Sequence, residues 1–460
     1  MPEPIKAILV GAGQRGAKDY GPYALRHPEL LQFVAVAEPK AERRLQFAQE
    51  HQIPPENQFP SWEDLLSRPQ MGQAALICTQ DQMHTEPTLA ALQKGYHVLL
   101  EKPMATSEDE CRLLIRSAKE MGRQLHICHV LRYTRHFQMI RELVQSDILG
   151  QIVHADHKEN VSWWHMAHSY VRGNWAIEED SCPMILAKCC HDFDILMWIL
   201  GRRCLQLSSI GNLIHFRPEN APEGAPERCL EGCPASDRCP FYAPFIYLDL
   251  LPLWRTIAST STGLTKWGTL AHLRFPSLIK VAARFFPLLR QVSDYRGWPR
   301  SVLSTDPTPQ NLYEALLTGP YGRCVYRCGN DVVDHQVVMM EFESGISVTL
   351  TMQGHSHIEG RTTRIEGSLA NLEASFSLGG SWITISHHRS GEISRYNTSA
   401  DLPSGHSGGD EGLMEAFIAS LQEGRMEAAS KIAKEALDSH LLAFAAEEAR
   451  QTRQTIQMQY

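Results

Sequence analysis

Two short patterns near the start of the chain combine residue types that bind phosphates and ribose. An apolar run over residues 8–10 leads into the turn Gly11-Ala12-Gly13-Gln14-Arg15-Gly16, which helix-compatible sequence follows. Where a strand turns sharply into a helix, unpaired amide N–H groups and the positive end of the helix dipole can hold a pyrophosphate. A second apolar run ends at Glu38, whose carboxylate can accept hydrogen bonds from both ribose hydroxyl groups. Together the two patterns predict a dinucleotide site.

The glycines of the turn and the acidic residue have separate predicted roles. Gly11 allows the tight turn, Gly13 lets the backbone approach the phosphates, and Gly16 lets the helix pack on the strand. Glu38 would repel the 2′-phosphate of NADP, so NAD is the predicted cofactor. The alternative of NADP stays open, because three basic residues lie within six positions after Glu38.

A lysine and a histidine have the chemistry of proton transfer. Glu101-Lys102-Pro103 stands where a buried strand would end, which is the edge of a parallel sheet at which ligands bind. The ammonium group of Lys102 can contact a substrate oxygen and stabilise charge that develops on it. His191 lies in an apolar, helix-compatible segment, and an imidazole can take a hydroxyl proton at neutral pH. Lys188 lies one helical turn earlier on the same face.

These features together resemble the Gfo/Idh/MocA family, whose members include glucose-fructose oxidoreductases and inositol dehydrogenases. The resemblance rests on the glycine turn, on Glu38, on Cys78-Thr79-Gln80 with His84 after it, on Glu101-Lys102-Pro103 and on residues 185–194. It implies an NAD(P)-dependent sugar or cyclitol oxidoreductase with Lys102 and His191 at the reacting carbon. The family commonly has an aspartate four positions before that histidine, where this chain has Ala187.

The expected contacts form a cofactor set and a substrate set. The cofactor set is Gly11, Gly13, Gln14, Arg15, Gly16, Glu38, Thr79, His84, Glu101 and Lys102. The substrate set is Arg132, Tyr133, Trp164, Arg172, Trp175 and Lys188. Aromatic faces and bidentate donors of this kind grip sugars, and the resemblance implies that Arg132 and Tyr133 lie where the family turns into its substrate cleft.

The predicted reaction is hydride transfer from a carbinol carbon to NAD, with His191 as the base and Lys102 polarising the oxygen. A redox-neutral glycosidase is an alternative that uses the same parts. It would oxidise a ring hydroxyl, eliminate the aglycone, add water and return the hydride. A dinucleotide sensor without catalysis is a second alternative, and it would bind NAD without turning over any sugar.

The predicted fold class is an N-terminal α/β Rossmann domain followed by an α+β domain with a large, open, mostly antiparallel sheet. Strand-like runs occur at 6–11, 33–38, 74–79, 97–101 and 125–130, with helical stretches at 40–50, 84–95 and 107–121 between them. A hairpin over 337–352 precedes strand candidates at 361–366, 371–377, 382–388 and 392–397. The expected domains are 1–130 for NAD(P) binding, 131–410 for substrate binding and oligomerisation, and a helical segment, 411–460, that packs back on the core.

An insertion at about 217–320 interrupts the second domain. Its part from 243 to 320 is rich in Leu, Trp, Phe and Pro, including Leu273-Arg274-Phe275-Pro276 and Arg284-Phe285-Phe286-Pro287. We expect this part to shape the substrate cleft or a subunit contact. Attachment to a membrane surface is the alternative, because aromatic residues interleaved with Arg and Lys suit a membrane interface.

Composition narrows the class of protein and its partners. The 460 residues carry a net charge of −8, and no large basic patch of the kind that binds nucleic acid is visible. No apolar run reaches the length of a membrane span, and the chain opens on a predicted strand rather than a signal peptide, so we expect a cytoplasmic protein without membrane insertion. The expected partners are a small carbohydrate-like substrate and further copies of the chain, as a dimer or tetramer formed through the open sheet.

The chain has 12 cysteines, which we expect to be reduced thiols. Cys229, Cys233 and Cys239 stand apart from the others because they lie in a Pro-rich loop. These three thiols could supply most of a tetrahedral zinc site, completed by Cys324, Cys328 or His215. A structural zinc that holds the loop is therefore one hypothesis, and ordinary thiols or a local disulfide are the other.

Overall fold

The computed structural model describes residues 3–260, 263–286, 289, 292, 294–377, 380–399 and 408–460. Its first part is a parallel sheet of six strands. The strands are β1 (Ile5–Val10), β2 (Leu31–Ala37), β3 (Gln58–Phe59), β4 (Ala74–Ile77), β5 (His97–Leu100) and β6 (Leu125–Ile127). Their order, β3-β2-β1-β4-β5-β6, confirms the predicted Rossmann fold. This order reverses direction between β1 and β4, and ligands of such sheets bind in the crevice at that point.

Helices cover both faces of this sheet. They are α1 (Gly21–Arg26), α2 (Ala41–Glu50), α3 (Trp62–Ser67), α4 (Thr85–Gln93) and α5 (Glu108–Glu120). Successive strand residues point to opposite faces, so Ile8 and Val10 join one core while Leu9 joins the other. Ser107 caps α5 by accepting a hydrogen bond from Glu110 N, and the acidic first turn of α5 suits the positive dipole end. The boundary predicted for α5 from these residues is confirmed.

The second part is a mixed sheet of nine strands. They are β7 (Ile152–Ser162), β8 (Cys204–Asn212), β9 (His335–Phe342), β10 (Ile346–Ser356), β11 (Gly360–Gly367), β12 (Ala370–Ser377), β13 (Gly380–His387), β14 (Ile393–Asn397) and β15 (Ile456–Gln457). Their order is β14-β13-β12-β11-β7-β10-β9-β8-β15. β7 and β10 run parallel, whereas the other pairs that the structure describes are antiparallel. The predicted hairpin and the open, mostly antiparallel sheet are confirmed.

Helices from three parts of the chain build the core on one face of the second sheet. The remaining helices are α6 (Arg135–Gln145), α7 (Trp163–His165), α8 (Met184–Leu200), α9 (Ala243–Tyr247), α10 (Leu251–Thr260), α11 (Gly263–Arg274), α12 (Pro276–Ala282), α13 (Arg300–Leu303), α14 (Pro309–Thr318), α15 (Gly409–Gln422) and α16 (Met426–Thr452). Helices α6, α8 and α16 contribute to that core. The other face leaves Ile210 and Met339 exposed.

The C-terminal helices join the two sheets. Phe417 of α15 packs into one core of the first sheet, and Leu441 of α16 packs into the other. One residue further on, Leu442 of α16 lies in the core of the second sheet. Because α16 contributes to both cores, it fixes how the carboxyl edge of the first sheet faces α8.

Between β8 and β9, the described residues form helices, turns and one isolated bridge. Helices α9 and α10 pack with Trp164, Leu316 and Tyr321 in a separate apolar cluster. Within the described ranges, no helix has the length and apolar character needed to cross a bilayer.

Candidate active site at the carboxyl edge of the parallel sheet

The glycine turn after β1 has little room for side chains at its two ends. Gly11 has a φ of +95°, and a Cβ there would lie 2.4 Å from the carbonyl oxygen of Cys78 after β4. A Cβ on Gly16 would lie 2.3 Å from the carbonyl oxygen of Gly11. At Gly13, the nearest atom to such a Cβ is Arg43 Nη1 at 4.0 Å, so the middle of the turn is open. The turn therefore has a tightly packed backbone at its two ends and free space at its middle, where a ligand can approach the backbone.

The carboxylate of Glu38 lies directly against this turn. Its Oε2 accepts a hydrogen bond from Ala12 N at 3.0 Å, and its Oε1 accepts one from Lys40 N at 2.9 Å. Arg44 Nη1 donates to the Glu38 carbonyl oxygen at 2.6 Å, so that guanidinium binds backbone rather than the carboxylate. The buried carboxylate is held in place and keeps further lone pairs for other donors.

Arg15 holds the acidic residue that precedes Lys102. Its Nε donates to Glu101 Oε1 at 2.7 Å, and its other nitrogens contact Asp19 and Asp410 at 2.7 Å each. Burial alone would raise the pKa of Glu101, but the Arg15 charge and the Tyr20 hydroxyl outweigh that effect and lower it. Glu101 is therefore an anion that positions the end of β5. Because carboxylates hold the Arg15 guanidinium, we expect Arg15 to contact the cofactor through its backbone N–H.

The loops after β4 and β5 are joined through His84. The buried imidazole lies between two carbonyl oxygens, with Nδ1 2.7 Å from Pro103 O and Nε2 3.3 Å from Thr79 O. Thr79 Oγ1 donates to Met83 O at 2.8 Å, and Gln14 Nε2 donates to Asp19 Oδ1 at 3.4 Å. These side chains thus fix the loops that border the glycine turn.

Lys102 connects the first sheet to the helix that carries His191. Its Nζ donates to the carbonyl oxygen of Ala187 at 2.9 Å. Ala187 lies on α8 one turn before His191, at the position where the resemblance led us to expect an aspartate. The ammonium group of Lys102 therefore lies at α8 one helical turn before His191, although the two residues are far apart in sequence.

Two buried histidines that the sequence analysis missed lie behind His191. The His129 ring centroid is 5.5 Å from that of His191 and 5.5 Å from that of His440. Burial, together with the charges of Arg132 and Lys102, keeps the pKa of His129 well below its usual range. Burial also lowers the pKa of His440 to about 3. Both imidazoles are neutral at physiological pH, and His129 directly follows the last strand of the first sheet.

A network of buried charges joins α8 to β7 and β11. Lys188 Nζ contacts Glu159 Oε1 at 3.2 Å and Glu359 Oε1 at 3.6 Å. Arg361 of β11 contacts Glu159 at 2.8 Å and Asp192 at 2.7 Å. Burial would lower the pKa of Lys188, but the two glutamates raise it, so the ammonium stays charged. This network fixes the rotation of α8 and with it the direction of His191.

Asp192 completes the network beside the catalytic candidate. Its Oδ1 lies 2.9 Å from His157 Nε2, so β7 also holds this carboxylate. Burial would raise the pKa of Asp192, whereas Arg361 and the hydrogen bond from His157 lower it. The acidic pair that follows His191 could have drawn attention to Asp192, since both aspartates lie in the same short run. No comparable sequence pattern marks Glu159 or Glu359 as members of this network.

Two arginines of the predicted substrate set have structural partners. Arg132 donates to both oxygens of Asp194, at 2.7 and 2.6 Å, and to Glu435 at 2.6 Å. Arg172 is buried and donates to the carbonyl oxygens of Arg323 and Phe241, at 2.8 Å each. These guanidinium groups therefore have protein acceptors in this structure, and the sugar contacts of Arg132 and Arg172 stay predictions.

The aromatic members of the substrate set differ in their surroundings. Trp164 is buried, with its ring centroid 5.0 Å from that of Trp298, so it belongs to a core rather than to a binding surface. Tyr133 follows β6, and its Cβ and backbone lie against Gly412 of the C-terminal segment. Trp175 Nε1 donates to Asp81 Oδ2 at 2.8 Å, which places it at the loop after β4. Tyr133 and Trp175 therefore both border the carboxyl edge of the first sheet.

The cysteine loop does not form the predicted zinc site. In the part of the chain that the structure describes, no group of three or more His, Cys, Asp or Glu side chains is placed to hold a metal ion. Cys229, Cys233 and Cys239 line one small cavity with Cys324, but Arg172 Nη2 donates to Cys229 Sγ at 3.5 Å. Hydrogen bonds from Cys229 N to Gly322 O and from Cys324 N to Glu227 O, each 2.9 Å, also tie the loop down. Packing around Arg172 thus replaces the metal that we predicted.

Comparison with known proteins bears directly on this edge of the sheet. Residues 5–129 match the family model described as the Gfo/Idh/MocA oxidoreductase family with an NAD-binding Rossmann fold. The first part of the chain is therefore similar to the NAD-binding part of that family. The match includes the glycine turn, Glu38 and Lys102, while His191 lies beyond it.

Two similar proteins have names that refer to sugars. A 2,7-anhydro-N-acetylneuraminate hydratase of Escherichia coli K12 is 26% identical over 156 residues, covering 34% of this chain and 41% of the relative. A D-glucoside 3-dehydrogenase of the same organism is 27% identical over 154 residues, covering 32% and 41%. The chain thus matches about two fifths of the length of these relatives.

The fold likeness extends over nearly the whole chain. The crystal structure of an aldose-aldose oxidoreductase from Caulobacter crescentus, complexed with glycerol, superposes with a TM-score of 0.64. Sequence identity is 13%, and the match covers 99% of this chain and 100% of the other. The second sheet with α8 therefore belongs to the same overall fold.

Proposed function

We propose that this chain is an NAD-dependent oxidoreductase that takes a hydride from a hydroxyl-bearing carbon of a sugar, a sugar derivative or a cyclitol. The observation that carries the proposal is the 2.9 Å hydrogen bond from Lys102 Nζ to Ala187 O. It puts an ammonium group from the end of β5 one helical turn from His191, beside the loops that follow β1 and β4. The match of residues 5–129 to the Gfo/Idh/MocA family model and the sugar-related names of similar proteins support the proposal.

The residues of the first sheet fit NAD. The turn is open at Gly13, where a pyrophosphate would meet backbone N–H groups, and the Glu38 carboxylate is held at the edge where a ribose would lie. When bound, NAD supplies the acceptor for the hydride. We propose NAD rather than NADP, because a 2′-phosphate would meet the buried charge of Glu38.

The protein groups would handle the proton and the oxygen. His191 would take the hydroxyl proton, and Lys102 would donate a hydrogen bond to the same oxygen as it becomes a carbonyl. Two contacts position Lys102, because Glu101 Oε2 accepts a hydrogen bond from its backbone N–H and Ala187 O accepts one from its Nζ. Because His129 is neutral, it would add no positive charge beside the buried side of His191.

A redox-neutral glycosidase is the second candidate, and one observation favours it. A similar protein of E. coli is named as a 2,7-anhydro-N-acetylneuraminate hydratase, which is not a net dehydrogenase by name. In a redox-neutral reaction, the same base and lysine would act in a transient oxidation, and elimination of the aglycone would follow. A sensor would have the same cofactor contacts but no turnover.

A panel of phosphorylated, acidic and amino sugars, free and as glycosides, separates these candidates. Each compound is incubated with the protein and NAD, and both NADH fluorescence and released sugar are measured. NADH that accumulates with one compound supports the dehydrogenase. Sugar release with only catalytic NAD and no net NADH supports the glycosidase. NAD binding in a direct titration without either product, over the whole panel, would overturn the enzyme proposal in favour of a sensor.

We further propose that copies of the chain associate through the open face of the second sheet. Ile210 and Met339 are exposed there on β8 and β9, and exposed apolar side chains on an open sheet suit a subunit contact. We also propose residues 1–130 as the cofactor domain and 131–410 as the substrate domain, with 411–460 joining them. A cytoplasmic location fits a protein that draws on a free NAD pool and carries 12 cysteines.

A further inference from the structure

Helices α11 and α12 and the turn after α12 expose an unusual number of large apolar side chains. Phe285 is 77% exposed, Trp267 71% and Leu278 66%. The whole set, which we call the apolar face, is Trp267, Leu270, Phe275, Leu278, Val281, Phe285 and Phe286. Single exposed apolar residues are ordinary, but a run of this kind on neighbouring helices marks a contact surface.

Part of the apolar face lies on one side of α12. Leu278 and Val281 are three positions apart on this helix and therefore share one face of it, and Phe285 and Phe286 follow after the helix ends. Thr269 of α11 and Ala283 after α12 are buried. The segment therefore has buried residues as well as an outer apolar surface.

The charge around the apolar face has a single sign. Residues 250–293 contain no Asp or Glu, although the whole chain has a net charge of −8. The basic residues of this stretch are Arg255, Lys266, Arg274, Lys280, Arg284 and Arg290. Lys266, Arg274, Lys280 and Arg284 are exposed among the apolar side chains. Such interleaving suits a partner that is both anionic and apolar.

We propose that the apolar face lies on the surface of a membrane that contains anionic phospholipids. Trp267 and the phenylalanines would enter the boundary between headgroups and acyl chains, while Lys266 and Lys280 would contact headgroup phosphates. The helices would lie in the plane of the interface, because none in the described ranges can cross a bilayer. A purely apolar partner surface would leave the basic side chains unpaired, whereas an anionic bilayer accommodates both features.

Helix α11 packs on α10, with the ring centroids of His272 and Trp254 5.3 Å apart, and this contact holds the segment. Trp298, which follows it, packs with its ring centroid 5.0 Å from that of Trp164 and 5.2 Å from that of His168. Thr305 Oγ1 donates to Glu42 Oε2 of α2 at 2.6 Å. A membrane contact at the apolar face would therefore orient the whole molecule, and it does not depend on the reaction proposed above.

Sedimentation with vesicles tests the proposal on the full-length protein. We expect binding to vesicles of phosphatidylcholine with phosphatidylglycerol, and at least tenfold weaker binding to phosphatidylcholine alone. The double variant Phe285→Ser, Phe286→Ser should lose at least tenfold in binding. Lys266→Gln and Lys280→Gln should each lose about fivefold, because one basic residue near an anionic surface contributes on the order of that factor. The control is Ile393→Ser, which removes an apolar side chain that is 55% exposed on β14 and should bind as the wild type does.

Three results would overturn the proposal. One is wild-type protein that stays in the supernatant with anionic vesicles at low salt. Another is a double variant that binds as tightly as the wild type. The third combines two findings: the wild type does not bind vesicles, and the double variant forms a smaller oligomer than the wild type in light scattering. That result would assign the apolar face to pairing of two copies of the chain. Because the substituted side chains are exposed, unchanged circular dichroism is expected for every variant.

Discussion

Lys102 and His191 are the residues whose removal should affect chemistry most and cofactor binding least. Lys102→Ala and His191→Ala should each lower kcat by about 10²-fold or more, since positioned acid–base groups contribute on that scale. Binding of NAD, measured by fluorescence titration, should stay within about threefold, because the glycine turn and Glu38 are intact. Lys119→Ala, an exposed lysine on α5, is the matched control and should behave as the wild type. Turnover of His191→Ala close to that of the wild type would show that another residue acts as the base.

Glu38 should decide between the two nicotinamide cofactors. The wild type should bind NAD at least tenfold more tightly than NADP, which corresponds to about 1.4 kcal/mol. Glu38→Ser removes the carboxylate charge and should narrow that ratio mainly by improving NADP binding. Calorimetric titration with both cofactors measures the ratio. Equal affinities of the wild type for NAD and NADP would contradict the role given to Glu38.

Residue roles could be predicted where short local patterns carry them. The glycine turn and the end of β5 are such patterns, because their chemistry follows from neighbours in sequence. Arg132 and Arg172 are different, since their partners Asp194 and Phe241 lie 62 and 69 positions away. Residue type alone showed guanidinium groups suited to sugars, and only the packing shows that protein acceptors already occupy them.

At the scale of elements, Arg361 is the residue that joins α8 to the second sheet. Arg361→Leu leaves Glu159 and Asp192 without their shared partner, and loss of one member of a buried ion pair typically costs about 3–5 kcal/mol. We therefore expect a marked fall in the urea midpoint and reduced turnover through misplacement of His191.

The control for this change lies on the same strand. Arg364→Leu removes an arginine whose side chain is 53% exposed and whose partners are surface glutamates. Exposed pairs contribute about 0–1 kcal/mol, so its urea midpoint should stay close to that of the wild type. Similar midpoints for Arg361→Leu and Arg364→Leu would show that the network does not hold α8.

Elements with apolar periodicity were predictable, and one central strand was not. The strands of the first sheet and the hairpin of β9 and β10 follow apolar runs or clear alternation. β7 lies at the centre of the second sheet, yet its inward positions include His157 and Glu159, so the usual apolar alternation is missing. Those buried polar residues are the ones that hold α8, which explains why the strand was hard to find.

At the scale of the whole molecule, the open face of the second sheet should mediate self-association. Ile210→Glu combined with Met339→Glu places two charges among exposed apolar residues of β8 and β9. Light scattering after size exclusion should then show a monomer, whereas the wild type should be a dimer or tetramer. The double variant Phe285→Ser, Phe286→Ser serves as the control and should keep the wild-type oligomer. A monomeric wild type would contradict the proposed role of this face.

The central claim is that this chain moves a hydride from a sugar carbon to NAD, and isotope transfer tests it most directly. The most active compound of the sugar panel is prepared with deuterium on its hydroxyl-bearing carbons, one carbon at a time, and incubated with protein and NAD. Mass spectrometry of the reduced cofactor should find deuterium for one labelled carbon and not for the others, with at least 10²-fold slower appearance in His191→Ala. Reduced cofactor without deuterium from any labelled carbon, or equal rates in the two proteins, would contradict the account.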